Sequence, residues 1–103
     1  LDWALLERQR LEEQLVESLT QSAALSLEID ADRALESAQR AITLDPYLQP
    51  AHLLLMKALL RLRQPEKAIA HYEKLTQSLQ RELSLEPTME LLETYHRARL
   101  ALP

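Results

Sequence analysis

The sequence predicts an all-α domain spanning residues 1–103. Three observations carry that expectation. Ala, Leu, Glu, Gln and Arg dominate the 103 residues, and all of them favour helix. There is no glycine, which argues against β-hairpins, whose tight turns favour it. Apolar residues recur at helical rather than alternating spacing along most of the chain.

Helix 1 is expected from about Trp3 to Leu27. Leu11, Leu15, Leu19 and Ala23 form an inward stripe, widened by Val16. Asp30 or Asp32 supplies an N-cap for helix 2, because a carboxylate accepts from the orphan N–H groups of a first turn. Helix 2 runs to about Leu44 with Ala34, Leu35, Ala38, Ala41 and Ile42 inward. Pro46 disfavours helix at Asp45 and ends it.

The stretch Ala51–Leu75 organises the rest. Helix 3 starts near Leu48–Pro50 and ends near Arg63. Its leucines and Met56 cover nearly the whole circumference, so it needs neighbours on several sides. Lys57 and Arg61 interrupt the apolar run, which is too short for a bilayer span of about 20 residues. Pro65 suits a helix N-terminus, since its missing N–H costs nothing there. Helix 4 follows to Ser84, with Ala68, Tyr72, Leu75, Leu79 and Leu83 inward and His71, Glu73 and Lys74 facing away. After the break at Leu85-Glu86-Pro87, Thr88 caps helix 5. That helix carries Leu91, Leu92, Tyr95, Ala98 and Leu102 as a cap over the apolar end.

Ala34 and Ala68 lie 34 residues apart, the period of tetratricopeptide repeats. In the second unit Leu55, Leu59, Ala68 and Tyr72 fall on the expected large, aromatic and small positions. In the first, Ser22, Ala34 and Ala41 are small, Leu25 is large and Pro46 closes the unit. Met56 and Leu75 stand at small-residue positions of the second unit, which is expected to open wider. Gln80 replaces its closing proline, while Gln21 and Ala38 replace large residues of the first unit. The predicted architecture is a set of tetratricopeptide-like antiparallel helix pairs, an α-solenoid fragment of about five helices.

Charge and composition exclude several functions. Net charge is −4, with −6 over residues 1–36, +4 over 37–81 and −2 over 82–103. An acidic chain is a poor DNA binder, because phosphate affinity depends on Lys and Arg. The uneven polarity suits protein partners. Without Cys there are no disulfides or thiolate sites, and without Gly no phosphate-binding loop. His52, His71 and His96 match no zinc spacing and read as solvated or edge-packed. Glu12, Glu13 and Glu17 read as a solvated helix face, and no serine has a nucleophile-elbow context. No enzyme, cofactor or metal site is expected. Tyr72 and Tyr95 read as core. Trp3 reads equally as a helix anchor or a docking residue.

Further residues resemble the bacterial transcriptional activator domain family. They are Asp2-Trp3-Ala4 with Glu7-Arg8, Asp45-Pro46, Ala51-His52, Leu55-Met56, and Ala68 with Tyr72-Glu73 and Leu75. They continue with Glu82 to Thr88, Glu90-Leu91 and Tyr95. The run Glu82-Leu83-Ser84-Leu85-Glu86-Pro87-Thr88 after a long helix is the most specific. The resemblance implies a module of a cytoplasmic bacterial regulator of the SARP or LuxR type, with DNA binding elsewhere in the parent chain. The opening Leu1-Asp2-Trp3, without Met, implies a piece excised from such a chain. Implied partners are other domains of the regulator, a second copy or the transcription machinery, not DNA or membrane. Carrying the repeat pattern over, Leu53, Lys57, Leu60 and Arg61 line a partner-binding groove, joined by Leu19, Ala23 and Leu27 from the first unit. A free-standing peptide-binding scaffold is the alternative. Nucleic-acid binding through the basic middle segment is the third reading.

Overall fold

Five helices make up the described part of the chain, residues 2–103 of a computed structural model. They are α1 (Trp3–Ser26), α2 (Ala31–Leu44), α3 (Gln49–Arg61), α4 (Pro65–Leu83) and α5 (Met89–Leu100). No strand occurs among the described residues.

Local chemistry sets the boundaries. The Asp2 carboxylate accepts from the N–H groups of Ala4 and Leu5 and caps α1. Asp30, not Asp32, caps α2 by accepting from Arg33 N–H at 3.1 Å. Pro50 sits in the first turn of α3 and Pro65 opens α4, where neither needs its missing donor. The Thr88 hydroxyl accepts from Leu91 N–H and caps α5.

Lack of glycine does not prevent left-handed turns. Arg63 has φ 61° and Ser84 φ 52°. At Arg63 the chain closes α3 with paired bonds, Arg63 N–H to Leu60 O and Gln64 N–H to Leu59 O. At Ser84 the N–H bonds Gln80 O, and Leu85 N–H reaches back to Leu79 O. Both residues carry a Cβ that crowds the backbone in this region.

α3 packs against every other helix, as its all-round apolar surface requires. α1, α3 and α5 are successive neighbours, α2 packs on α1 and α3, and α4 packs on α3 and α5. This is the tetratricopeptide-like arrangement of antiparallel pairs, with Ala34 and Ala68 fully buried in the second helix of each pair. The core is alanine-rich: Ala23, Ala34, Ala38, Ala41, Ala51, Ala58, Ala68 and Ala98 are all at 0% exposure. Met56, Leu79 and Leu91 are the largest fully buried side chains. Tyr72 stacks on Tyr95 at 4.4 Å between ring centroids, so both aromatics belong to the packed interior.

Four expectations fail at the edges. Leu11 and Leu15 are exposed, not inward. At 1.5 Å per residue α1 is about 36 Å long and α2 about 21 Å, so roughly the first ten residues of α1, Leu11 among them, have no α2 opposite them. Leu25 is 77% exposed and does not fill the space between pairs. Leu83, the last residue of α4, and Leu102, two residues past the end of α5, are exposed. Trp3 is also exposed and anchors nothing within the described residues.

Candidate interaction surface

Leu53, Lys57, Leu60 and Arg61 occupy one side of α3 at i, i+4, i+7 and i+8 spacing. Leu53, Lys57 and Leu60 are half-buried, and Arg61 is exposed. Leu53 and Leu60 pack against the main core cluster, which includes Leu91 and Ala98 of α5, so each shows only an edge. Arg61 is not a free cation. Its guanidinium donates to the Glu28 carboxylate in the α1–α2 turn, tying the first helix pair to the second. The bond and charge of Arg61 hold Glu28 below the usual carboxylate range, with Lys57 adding to the effect. Arg61 is correspondingly raised by Glu28.

The first-unit extension of this surface does not form. Leu19 is buried with Ala41 and Ala51, and Leu27 with Ala34 and Ala58. Ala23 is buried in the main cluster. Small side chains on α2 and α3 let those helices close over this part of α1, and the groove positions become core.

A second polar arrangement escapes sequence reasoning. His52 is 5% exposed, and His71 is half-buried rather than facing away. His52 Nε2 lies 2.7 Å from the Pro46 carbonyl, which only accepts, so Nε2 carries the proton. In the neutral ring Nδ1 is then an acceptor, and His71 Nε2–H donates to it at 2.8 Å. The pair thus joins the α2–α3 turn, α3 and α4. Burial pushes the His52 imidazole down, opposed by the Pro46 carbonyl and Asp45. Burial, then the charges of His52 and Lys74, push His71 down to about 4. The two residues are 19 apart and lie on different helices, so no spacing motif announces them.

No group of three or more His, Cys, Asp or Glu side chains among the described residues is placed to hold a metal ion. No helix among them is long and apolar enough to cross a membrane. The bacterial transcriptional activator domain family model matches residues 1–99. No curated protein and no solved structure matches the chain.

Proposed function

The chain belongs to the bacterial transcriptional activator domain family, and from that membership we propose that it is a non-catalytic interaction module of a cytoplasmic bacterial transcription regulator. It transmits a signal or mediates assembly through its helical surfaces, with DNA recognition carried by another part of a SARP-type or LuxR-type parent protein. The observation that carries this reading is the family match along nearly the whole chain. The solenoid-like stacking of helices supports it, because such stacks present broad side surfaces to partners.

The contact surface on this reading is the α3 face with Leu53, Lys57, Leu60 and Arg61. The partner is another domain of the regulator, a second copy or the transcription machinery. Apolar edges contribute affinity there and the two cations select an acidic partner. Glu28 holds Arg61 until a partner carboxylate displaces it. The double change Lys57→Glu, Arg61→Glu tests this. Melting is expected to move little, since exposed ion pairs contribute roughly 0–1 kcal/mol. Transcriptional activation by the parent protein, and partner capture by the isolated chain, are expected to be lost. Full activation by the charge-reversed, folded protein moves the functional surface off α3.

A further inference from the structure

Away from the α3 face, the middle of α1, from Gln9 to Gln21, and the end of α2 with the α2–α3 turn enclose a cleft of about 490 Å³. Its floor is apolar: Val16 from α1, with Leu44, Leu48 and Pro50 opposite. Four carboxylates also line the cleft, Glu12, Glu13 and Glu17 from α1 and Asp45 from the end of α2, beside the uncharged Gln9, Thr20 and Gln21. No lysine or arginine lines it. None of the four carboxylates belongs to an ion pair among the described residues. The one side-chain bond recorded to them is from the Gln21 amide to Glu17, at 3.4 Å.

Stability does not account for this arrangement. Glu13 and Glu17 stand at i, i+4, where like charges repel and a lysine in one position would stabilise the helix. Carboxylates around an apolar concavity focus a negative potential into it. Leu11 and Leu15 remain exposed on the same stretch of α1, at 53% and 41%. The overhang of α1 is a helical ledge of roughly ten residues beyond the end of α2, along which another helix can lie.

We propose that this cleft docks a cationic amphipathic helix of a partner protein. Apolar side chains of the incoming helix enter between α1 and the α2–α3 turn, and its flanking Lys or Arg side chains meet Glu12, Glu13, Glu17 and Asp45. This is helix-in-groove recognition, with apolar burial giving affinity and charge giving selection. The inference rests on the reading of the chain as a protein-interaction module. It names a second surface, opposite in charge to the cations of α3.

The probe is a synthetic helical peptide of about 15 residues, with Leu at i, i+3, i+4 and i+7 and Lys elsewhere. Its counterpart carries Glu in place of every Lys. Fluorescence anisotropy against the 103-residue chain is expected to show binding of the Lys peptide that weakens with salt, and none of the Glu peptide. Glu13→Lys, Glu17→Lys is expected to weaken binding about tenfold or more, and Glu13→Gln, Glu17→Gln by less, with helicity checked by circular dichroism. Lys57→Glu, Arg61→Glu leaves peptide binding unchanged, so failure of the α3 reading and failure of this one are separable. Equal affinity for the two peptides, or unaltered binding by the folded Glu13→Lys, Glu17→Lys protein, overturns the proposal. So does a concentration-dependent dimer of the free chain that this variant dissolves, which makes a second copy the occupant.

Discussion

The two helix pairs share a topology and a spacing but are filled differently. Between α1 and α2 most contact residues are small, Ser22, Ala23, Ala34, Ser37, Ala38 and Ala41 being buried or half-buried, with Leu19 and Leu27 the large exceptions. Ser22 and Ser37 approach to 3.5 Å through their hydroxyls. Between α3 and α4 the main cluster holds Ala68 but is otherwise built from large residues of these helices: Leu55, Met56, Leu59, Tyr72, Leu75 and Leu79. The backbones of the first pair approach closely over more of their length than those of the second. Side-chain volume at the seam thus sets the separation of the pair. The wider second pair takes α5 as a further wall, with Leu91 and Ala98 completing the same cluster.

The largest expected effect lies in the wide pair. Tyr72 is 9% exposed and stacked on Tyr95, so Tyr72→Ala removes a ring from the cluster shared by α3, α4 and α5. The expected loss is about 3–5 kcal/mol in urea or thermal melts, the range for large aromatic deletions in cores. A loss below about 0.5 kcal/mol, typical of surface sites, would mean that bulk at this seam does not hold the second pair together.

The converse change belongs in the close pair. Ala38→Leu forces volume into a position at 0% exposure and is expected to cost about 1–3 kcal/mol. Met56→Leu, a near-isosteric exchange at the second seam, is expected to cost under about 1.5 kcal/mol. Equal losses from the two changes would break the contrast between an interface limited by approach and one limited by filling.

A pH effect tests the joint between the pairs. In the unfolded chain histidine takes up a proton near pH 6.5. In the folded chain both His52 and His71 are pushed down, the latter to about 4. The unfolded state therefore binds more protons as pH falls from about 6.5 towards 4, and stability declines through that window. Chemical melts at successive pH values measure the slope. His71→Gln keeps a donor for His52 Nδ1 and removes one titrating ring, so the slope should become shallower. An unchanged slope would mean that the pair does not sense protons. His96, exposed on α5, has no comparable burial.

The repeat frame was legible in the sequence because it rests on local rules. The prolines at 46, 50 and 65 and the acidic and hydroxyl caps each act within a few residues of themselves, and the 34-residue offset of Ala34 and Ala68 shows that local pattern recurring. What was not legible depends on relative length and three-dimensional register. Leu11 carries the inward pattern of Leu19, but periodicity cannot say that α2 ends before reaching it. Leu19, Ala23 and Leu27 match groove positions, yet small residues on α2 and α3 draw those helices over them. The His52–His71 contact needs α3 and α4 aligned to within one residue, which no spacing rule supplies.

The smallest expected effect separates the turns of the two pairs. The α1–α2 turn, residues 27–30, keeps every φ negative, whereas the α3–α4 turn places Arg63 at φ 61°. Glycine has no Cβ to crowd the left-handed region but gives the unfolded chain more freedom. At Arg63 relief of crowding outweighs that freedom, so Arg63→Gly is expected to stabilise by about 0.5 kcal/mol. At Ile29, 87% exposed with ordinary φ, only the entropic term remains, and Ile29→Gly is expected to destabilise by about 0.4–1 kcal/mol. Opposite signs in matched melts would establish that the second pair is closed by a strained turn and the first by an unstrained one. The same sign at both sites would remove backbone strain from the difference between the pairs and leave side-chain volume as its sole source.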